Sequence, residues 1–273
     1  MTFETIQEHT KTDNAVVGET AIGGCGKYNF TTARGNQPKT DYCSTCGAHK
    51  FALCSGLDGQ DLIDFGKNSQ HKVFQPGQML FSEFDEANYF YTVVSGEVRL
   101  SRMLDDGRRQ ITGFKSSGDF VGLSASGEYA ADAEAIDEVT VCQFPVKALN
   151  ASLEEINEVQ SRLMEMMQAE VVNLQNHMLL LGRKTPIEKI CNFLCERAYK
   201  QFKLEGKPED CNEATVTLPM SRTDIADFLG LTIETVSRTI TKLRKQGVIE
   251  LQTSQTVEIH DLYELQQLAE GEK

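Results

Sequence analysis

Leu229-Gly-Leu-Thr-Ile-Glu-Thr-Val-Ser-Arg238, with Ser221-Arg-Thr-Asp224 just upstream, is the most informative stretch of this 273-residue chain. The Ser-x-x-Asp spacing fits a capping box, in which the Ser221 side chain takes the Asp224 amide and opens a helix. Ile225, Ala226, Phe228 and Leu229 give that helix its apolar side, and Gly230 stands where a left-handed residue must end it. Leu231 fills the turn, and Thr232 caps a second helix running to about Gln246. Two short helices joined by so tight a turn read as a helix-turn-helix. After Gly247, the runs Val248-Ile-Glu-Leu251 and Thr256-Val-Glu-Ile259 read as the hairpin of a winged domain.

The second helix of such a unit presents its N-terminal residues to base edges in double-stranded DNA. Glu234, Ser237 and Arg238 fall on one exposed face. Arg pairs bidentately with guanine, Glu accepts from the cytosine amino group, and Ser bonds either way. An isolated E-x-x-S-R would be ordinary surface; inside this frame base reading is the stronger interpretation. Thr232, Thr235 and Ser221, at the starts of the two helices, join them as expected DNA contacts. A net charge of −13 opposes phosphate binding overall. Over 221–247, however, Arg222, Arg238, Lys242, Arg244 and Lys245 outnumber Asp224, Asp227 and Glu234 by two. Acid elsewhere suppresses nonspecific DNA binding, as suits a regulator that waits for a signal.

The length suggests two domains, and 40% hydrophobic with 25% charged residues is ordinary for a soluble protein. No run approaches the ~18 apolar residues of a membrane span. The opening Met1-Thr-Phe-Glu-Thr has no signal-peptide character, so a cytoplasmic protein without membrane partners is expected. In a reducing compartment the eight cysteines read as metal ligands or buried thiols rather than disulfides. Cys43-Ser-Thr-Cys46 puts two thiolates on one tight turn, with Cys54 following. That grip suits an iron–sulfur cluster or zinc, and the spacing by itself leaves the two level. A thiol redox enzyme would want a βαβ pattern around C-x-x-C, and none is present. With no nucleophile–base pair or phosphate loop either, the chain is not expected to be an enzyme.

Residues 1–40 are polar and broken by Gly23-Gly24-Cys25-Gly26 and Arg34-Gly-Asn-Gln-Pro38, which suggests a flexible tail. From about 68 to 148, short β-like runs such as Tyr89-Phe-Tyr-Thr-Val-Val94 alternate with Gly turns, as in a small antiparallel barrel or roll. From 152 to 182 the period changes to that of one long helix. Val159, Leu163, Met167, Val171, Leu174, Met178 and Leu181 form its apolar stripe. A seam of that length wants a second helix, so a homodimer is expected, with a helix merely covering the roll as the alternative. Glu155, Glu158, Glu165 and Glu170 would keep such a dimer marginal, hence switchable.

These features together resemble the FNR/CRP superfamily, and within it the oxygen-sensing fumarate-and-nitrate-reductase-regulator branch. The marks are Gln110-Ile-Thr-Gly-Phe114, Gly118-Asp-Phe-Val-Gly122, Val141-Cys-Gln-Phe-Pro145, Met178-Leu-Leu-Leu181 and the helix-turn-helix run quoted above. The resemblance covers about Cys43 to Leu268 and implies an α+β fold in four parts. These are a tail (1–40), a cluster-binding segment with a β-roll sensor domain (41–150), a dimerisation helix (151–183) and a winged helix-turn-helix (184–273). It also implies that Glu234, Ser237 and Arg238 read a palindromic TTGAT-type site. In this branch a 4Fe–4S cluster takes three N-terminal cysteines and one from the roll, which carries the ligand role to Cys43, Cys46, Cys54 and Cys142. The spacing here, C-x2-C-x7-C, departs from the C-x2-C-x5-C of enteric-type members. Leu53 matches a residue that shields the cluster. Zinc remains the alternative occupant, and a constitutive DNA-binding regulator the alternative function.

Relatives that bind cyclic nucleotides need an Arg-Ser after the Gly-Asp-Phe turn. Residues 122–135 offer alanines and acids there, so no cyclic nucleotide is expected. The loop at 105–109 corresponds to one that touches RNA polymerase. Arg108 and Arg109 otherwise read as a solvated pair, and His49 as facing solvent. Cys191 and Cys195 read as core thiols, Cys211 as a free thiol in a polar loop, and Cys25 as a weak competing ligand.

Overall fold

Between Gln70 and Pro145 the β-branched and aromatic runs pair as two antiparallel four-stranded sheets. In the computed structural model, which describes Cys43, residues 45–208 and residues 210–272, these form a β-roll. The tail expected over 1–40, with Cys25, lies outside the described residues. One sheet holds β1 (Gln70–Phe74), β8 (Val139–Pro145), β3 (Tyr89–Ser95) and β6 (Phe120–Val121), in that order. The other holds β2 (Met79–Phe81), β7 (Asp132–Ala135), β4 (Val98–Met103) and β5 (Arg109–Lys115). Alternate residues of β7 and β8 point inward, as strands with one wet face require. The interior is a cluster that includes Val93, Val98, Val139 and Val141. Phe81 stacks on Tyr129 at 3.8 Å between centroids, and the Tyr129 hydroxyl donates to the Tyr89 carbonyl at 2.8 Å.

Before the roll, a 3-10 turn (Leu53–Gly56) leads into α1 (Gly59–Lys67). After it, the expected single helix over 152–182 is two, α2 (Val146–Glu155) and α3 (Asn157–Arg183). They are separated at Ile156, whose backbone is extended (φ −123°, ψ 102°). Ile156 packs against the cluster of buried side chains around Leu53, Leu57 and Phe144, and that packing outweighs continuation of the helix. The apolar stripe also divides. Val159 has no exposed surface and Leu163 packs beside it, so both belong to this chain's own core beneath the 3-10 turn. Leu181 leans on the C-terminal core instead. Met167, Val171, Leu174 and Met178 of the stripe remain exposed, Met178 by 73%, and Met164, outside the expected stripe, is exposed beside them.

A two-residue extended linker, Lys184-Thr185, joins α3 to α4 (Pro186–Glu205). Thr185 and Glu188 form a capping box at the start of α4, with Pro186 in the first turn. The helix-turn-helix is α5 (Arg222–Leu229) and α6 (Ile233–Lys245). The wing is a sheet of β10 (Ile249–Leu251), β11 (Thr256–Ile259) and β9 (Ala214–Thr217), and α7 (Leu262–Glu270) closes the chain against α4. One buried cluster with Phe193, Leu229, Val236, Leu243 and Leu265 holds these together. The fold class is the expected one, an α+β chain with a roll, a long helix and a winged helix-turn-helix.

Candidate functional site

Two places in the fold carry chemistry, a cysteine-lined cavity and the outer face of α6.

Cys43 and Cys46 lie on a turn in which the Cys46 amide donates to the Cys43 carbonyl at 3.4 Å, and Cys54 sits in the 3-10 turn. Cys142 comes from β8, where it faces His71 of β1 and Thr92 of β3. All four cysteines line one small cavity whose other walls include Leu53, Phe65, Val94 and Phe144. The loop is tightly seated. A Cβ on Gly66 would lie 2.8 Å from the Cys43 sulfur, and one on Gly118 (φ 88°) would lie 2.5 Å from Phe51 Cβ. Arg162 of α3 donates to the Phe51 carbonyl at 2.9 Å and toward that of Ala52 at 3.5 Å. His49 is half-buried and bonds the Leu57 carbonyl at 3.2 Å, so it braces this loop instead of facing solvent.

Burial pushes the Cys54 and Cys142 thiols up to about 12, and the nearness of the other cysteines adds to it. Cys43 is raised for the same reasons. A bare cavity therefore keeps these groups protonated, and thiolates here need a cationic centre to offset their mutual repulsion. Among the described residues, no three His, Cys, Asp or Glu side chains are arranged to hold a metal ion. A tetrahedral zinc site would need sulfurs about 3.8 Å apart, given Zn–S bonds of about 2.3 Å. A four-iron cube takes each thiolate on a separate corner iron and asks for a wider spread. The donor set here is all sulfur, drawn from the 43–54 segment and β8, and is walled by apolar side chains.

At the other end, the Asp224 amide donates to Ser221 Oγ at 3.1 Å, and the Ser221 amide donates to Asp224 Oδ2 at 3.0 Å. The Ser221 hydroxyl also gives its proton to Asp224 Oδ2 at 2.7 Å. Ser221 is thus the expected cap, and the residue is exposed at the start of α5. Gly230 is left-handed (φ 60°, ψ 45°) and releases the chain into α6, where Thr232 Oγ1 accepts from the Thr235 amide at 3.2 Å. Glu234 and Arg238 are exposed and Ser237 is half-exposed on one face of α6. Hydrogen bonds from its own amide and from Thr232 hold the Glu234 carboxyl below its ordinary value, with the Arg238 charge adding. Glu234 therefore stays an acceptor. Arg222 Nη1 reaches Ser237 Oγ at 3.3 Å, and Thr241, Lys242 and Lys245 share a shallow concavity with Ser237 and Arg238. In the sequence Arg222, Lys242 and Lys245 stand out only as local charge. Their spacing at four and seven residues beyond Arg238 places Lys242 and Lys245 on its face.

Cys191 and Cys195 are core thiols as expected, whereas Cys211 is half-buried against the C-terminal core rather than loose in a polar loop. Arg108 is exposed and pairs with Asp106 at 2.8 Å, but Arg109 is no solvated residue: it grips Asp224 and Asp227 of α5.

Comparison with known proteins places the roll and the helix-turn-helix each in a known domain family. Residues 71–155 match the cyclic nucleotide-binding domain family, and residues 188–268 match the Crp-like helix-turn-helix domain family. The nitrogen fixation regulation protein FixK of Bradyrhizobium diazoefficiens is 42% identical over 215 residues, 79% of this chain and 89% of its own length. The transcriptional activatory protein AadR of Rhodopseudomonas palustris is 39% identical over 222 residues, 81% and 89% of the two chains. The structure of FixK2 from Bradyrhizobium japonicum superposes with a TM-score of 0.66 at 33% identity, covering 73% of this chain and 96% of that one.

Proposed function

This chain belongs to the FNR/CRP superfamily of transcription regulators, and on that premise we propose that it is an oxygen-responsive member. As a homodimer it binds a palindromic TTGAT-type site in double-stranded DNA while Cys43, Cys46, Cys54 and Cys142 hold a 4Fe–4S cluster. The observation that carries this reading is the convergence of those four cysteines on one apolar-walled cavity seated against α3. A bound cluster supplies an oxygen-labile bond between loop and roll.

The protein's own residues supply the transmission. Val159 and Leu163 sit under the cysteine loop and Arg162 holds two of its carbonyls, so the loop's position sets the start of α3. Met164, Met167, Val171, Leu174 and Met178 recur at alternating steps of three and four along the exposed side of α3 and suit a second copy of the same helix. Glu234, Ser237 and Arg238 then read bases, with Thr232 and Thr235 at the start of the same helix, while Lys242 and Lys245 meet phosphates. The exposed β4–β5 tip at 105–108 is available to RNA polymerase. Cyclic nucleotide is not the signal in this reading, because Phe81, Tyr91 and Tyr129 fill the roll and residues 122–135 hold no Lys or Arg. Among the described residues no helix is long and apolar enough to cross a membrane, and the chain is assigned to the cytoplasm as a DNA-binding regulator.

The test is the visible spectrum and metal content of protein purified without oxygen, followed as air is admitted. Absorption near ~400 nm with about four iron and four sulfide per chain, lost in air together with binding to a TTGAT duplex, supports the reading. A colourless chain holding one zinc, with equal DNA binding in air and without it, refutes it.

A further inference from the structure

The roll and the reading head are joined by charge, and the joint falls on the first helix of the helix-turn-helix. Arg99 of β4 places Nη1 2.9 Å from Asp224 Oδ1, and its Nη2 2.7 Å from Glu134 of β7. Arg109 of β5 places Nη2 2.6 Å from the same Asp224 Oδ1 and 2.7 Å from Asp227 Oδ2, with Nε 2.9 Å from Asp227 Oδ2 as well. Gln110 donates to the Asp227 carbonyl at 2.8 Å, and Phe114 of β5 packs on Phe228 with ring centroids 5.1 Å apart. One face of α5 is thus held from Asp224 to Phe228 by a single β-hairpin more than a hundred residues away in sequence.

These are not loose surface pairs, whose worth would be small. The Asp224 side chain is 5% exposed and those of Arg99 and Arg109 are 18% and 24% exposed. Asp224 also has a division of labour: Oδ2 caps α5 through Ser221, while Oδ1 belongs to the two arginines. Burial alone would raise this carboxyl. The Ser221 hydrogen bonds and the two arginine charges outweigh burial and hold it below the ordinary range. The cap would close without the arginines, so their presence calls for another role.

The linker supplies that role. Between α3 and α4 stand only Lys184 and Thr185 in extended backbone, a natural hinge between dimerisation helix and reading head. A dimer on a palindrome must set its two recognition helices one DNA turn apart, about 34 Å. A reading head free to pivot on two residues would meet that spacing only a fraction of the time. The grip on α5 restrains the pivot from the side, and a second tie, Arg197 of α4 to Glu97 in the roll at 2.5 and 2.8 Å, restrains α4 in the same sense. Meanwhile Glu234, Arg238, Thr241, Lys242 and Lys245 of α6 stay exposed, so the grip leaves the reading face open.

We propose that Arg99 and Arg109 of the sensor roll are positioning residues for DNA recognition. By holding Asp224 and Asp227 they fix the angle of the helix-turn-helix and so set which half-site spacing the dimer accepts. This rests on the reading above that the target is a TTGAT palindrome bound by two copies.

The test uses full-length protein prepared without oxygen and three duplexes. One carries the two half-sites at the best wild-type spacing, one has that spacing changed by about two base pairs, and one carries a single half-site. Arg109→Ala should bind the best duplex about 2- to 30-fold more weakly. It should also lose most of the wild-type preference between the two spacings, with dimer size and visible spectrum unchanged. Arg99→Ala should act in the same direction, and Arg109→Lys, which keeps the charge but not the fork, should fall between. If Arg109→Ala is misfolded by circular dichroism, Asp227→Asn stands in for it with the same expected result. Unchanged or tighter binding overturns the proposal. So does an equal loss on all three duplexes, which would mark a weakened reading head rather than a mis-set angle. A wild-type chain that binds none of these duplexes overturns the TTGAT reading itself, and the positioning role with it.

Discussion

Val159→Ala distinguishes two roles for the start of α3, a dimer seam or the chain's own core. Val159 is fully buried within the cluster that holds Leu53, Leu57, Phe65 and Leu149. The substitution removes two methyl-equivalents from water-free surroundings, about 1.6 kcal/mol at ~0.8 kcal/mol each. Rigid neighbours leave a cavity of roughly 50 Å³ behind, adding about 1 kcal/mol at ~24 cal/mol per Å³. The expected cost is therefore about 2–3 kcal/mol. Urea unfolding followed by circular dichroism, at two protein concentrations about tenfold apart, measures it. A core residue gives the same loss at both concentrations, because the contact lies within one chain. A seam residue gives a loss that shrinks on dilution, towards zero once both proteins are monomeric. Stability unchanged within ~0.5 kcal/mol, with only the dimer weakened, would refute the placement of Val159.

Two further outcomes follow from the sites. Cys54 and Cys142 are raised from 9.0 to about 12 in the folded chain, so each contributes stability that is fully present below 9.0 and lost as pH rises through 12. Metal-free protein should accordingly unfold at lower urea as pH goes from about 8 to about 10, and Cys142→Ser should flatten that slope. On DNA, Arg238→Ala should cost about 1–3 kcal/mol and relax the preference at one base pair, read by anisotropy on a set of point-changed duplexes. Lys245→Ala should instead weaken all of those duplexes alike and lower the salt slope by about one.

The helix-turn-helix was legible residue by residue because its determinants are local. The Ser221–Asp224 box, the left-handed Gly230 and the Thr232 cap each act within four residues, and the structure has all three. The exposed face of Glu234, Ser237 and Arg238 follows from helix geometry alone. Three of the cavity's cysteines could be picked out by spacing for the same reason. The fourth could not be so identified from residues alone. Cys142 reaches the others because β8 lies between β1 and β3, a pairing that spans the roll, and only resemblance to a known family pointed to it.

Where the sequence reading went astray, a side chain's partner lay far away along the chain. Arg109 has the composition of a solvated turn and the address of a clamp, since β5 happens to face α5. The stripe on α3 was real as a periodicity, but its first part is covered by the cysteine loop and its last residue by the C-terminal core. By itself the sequence determined the elements, their caps and the face each residue occupies, because these depend on short-range backbone geometry. Only the tertiary structure decided what each face meets, because burial and ion pairing between distant segments depend on how the sheets and helices close on one another.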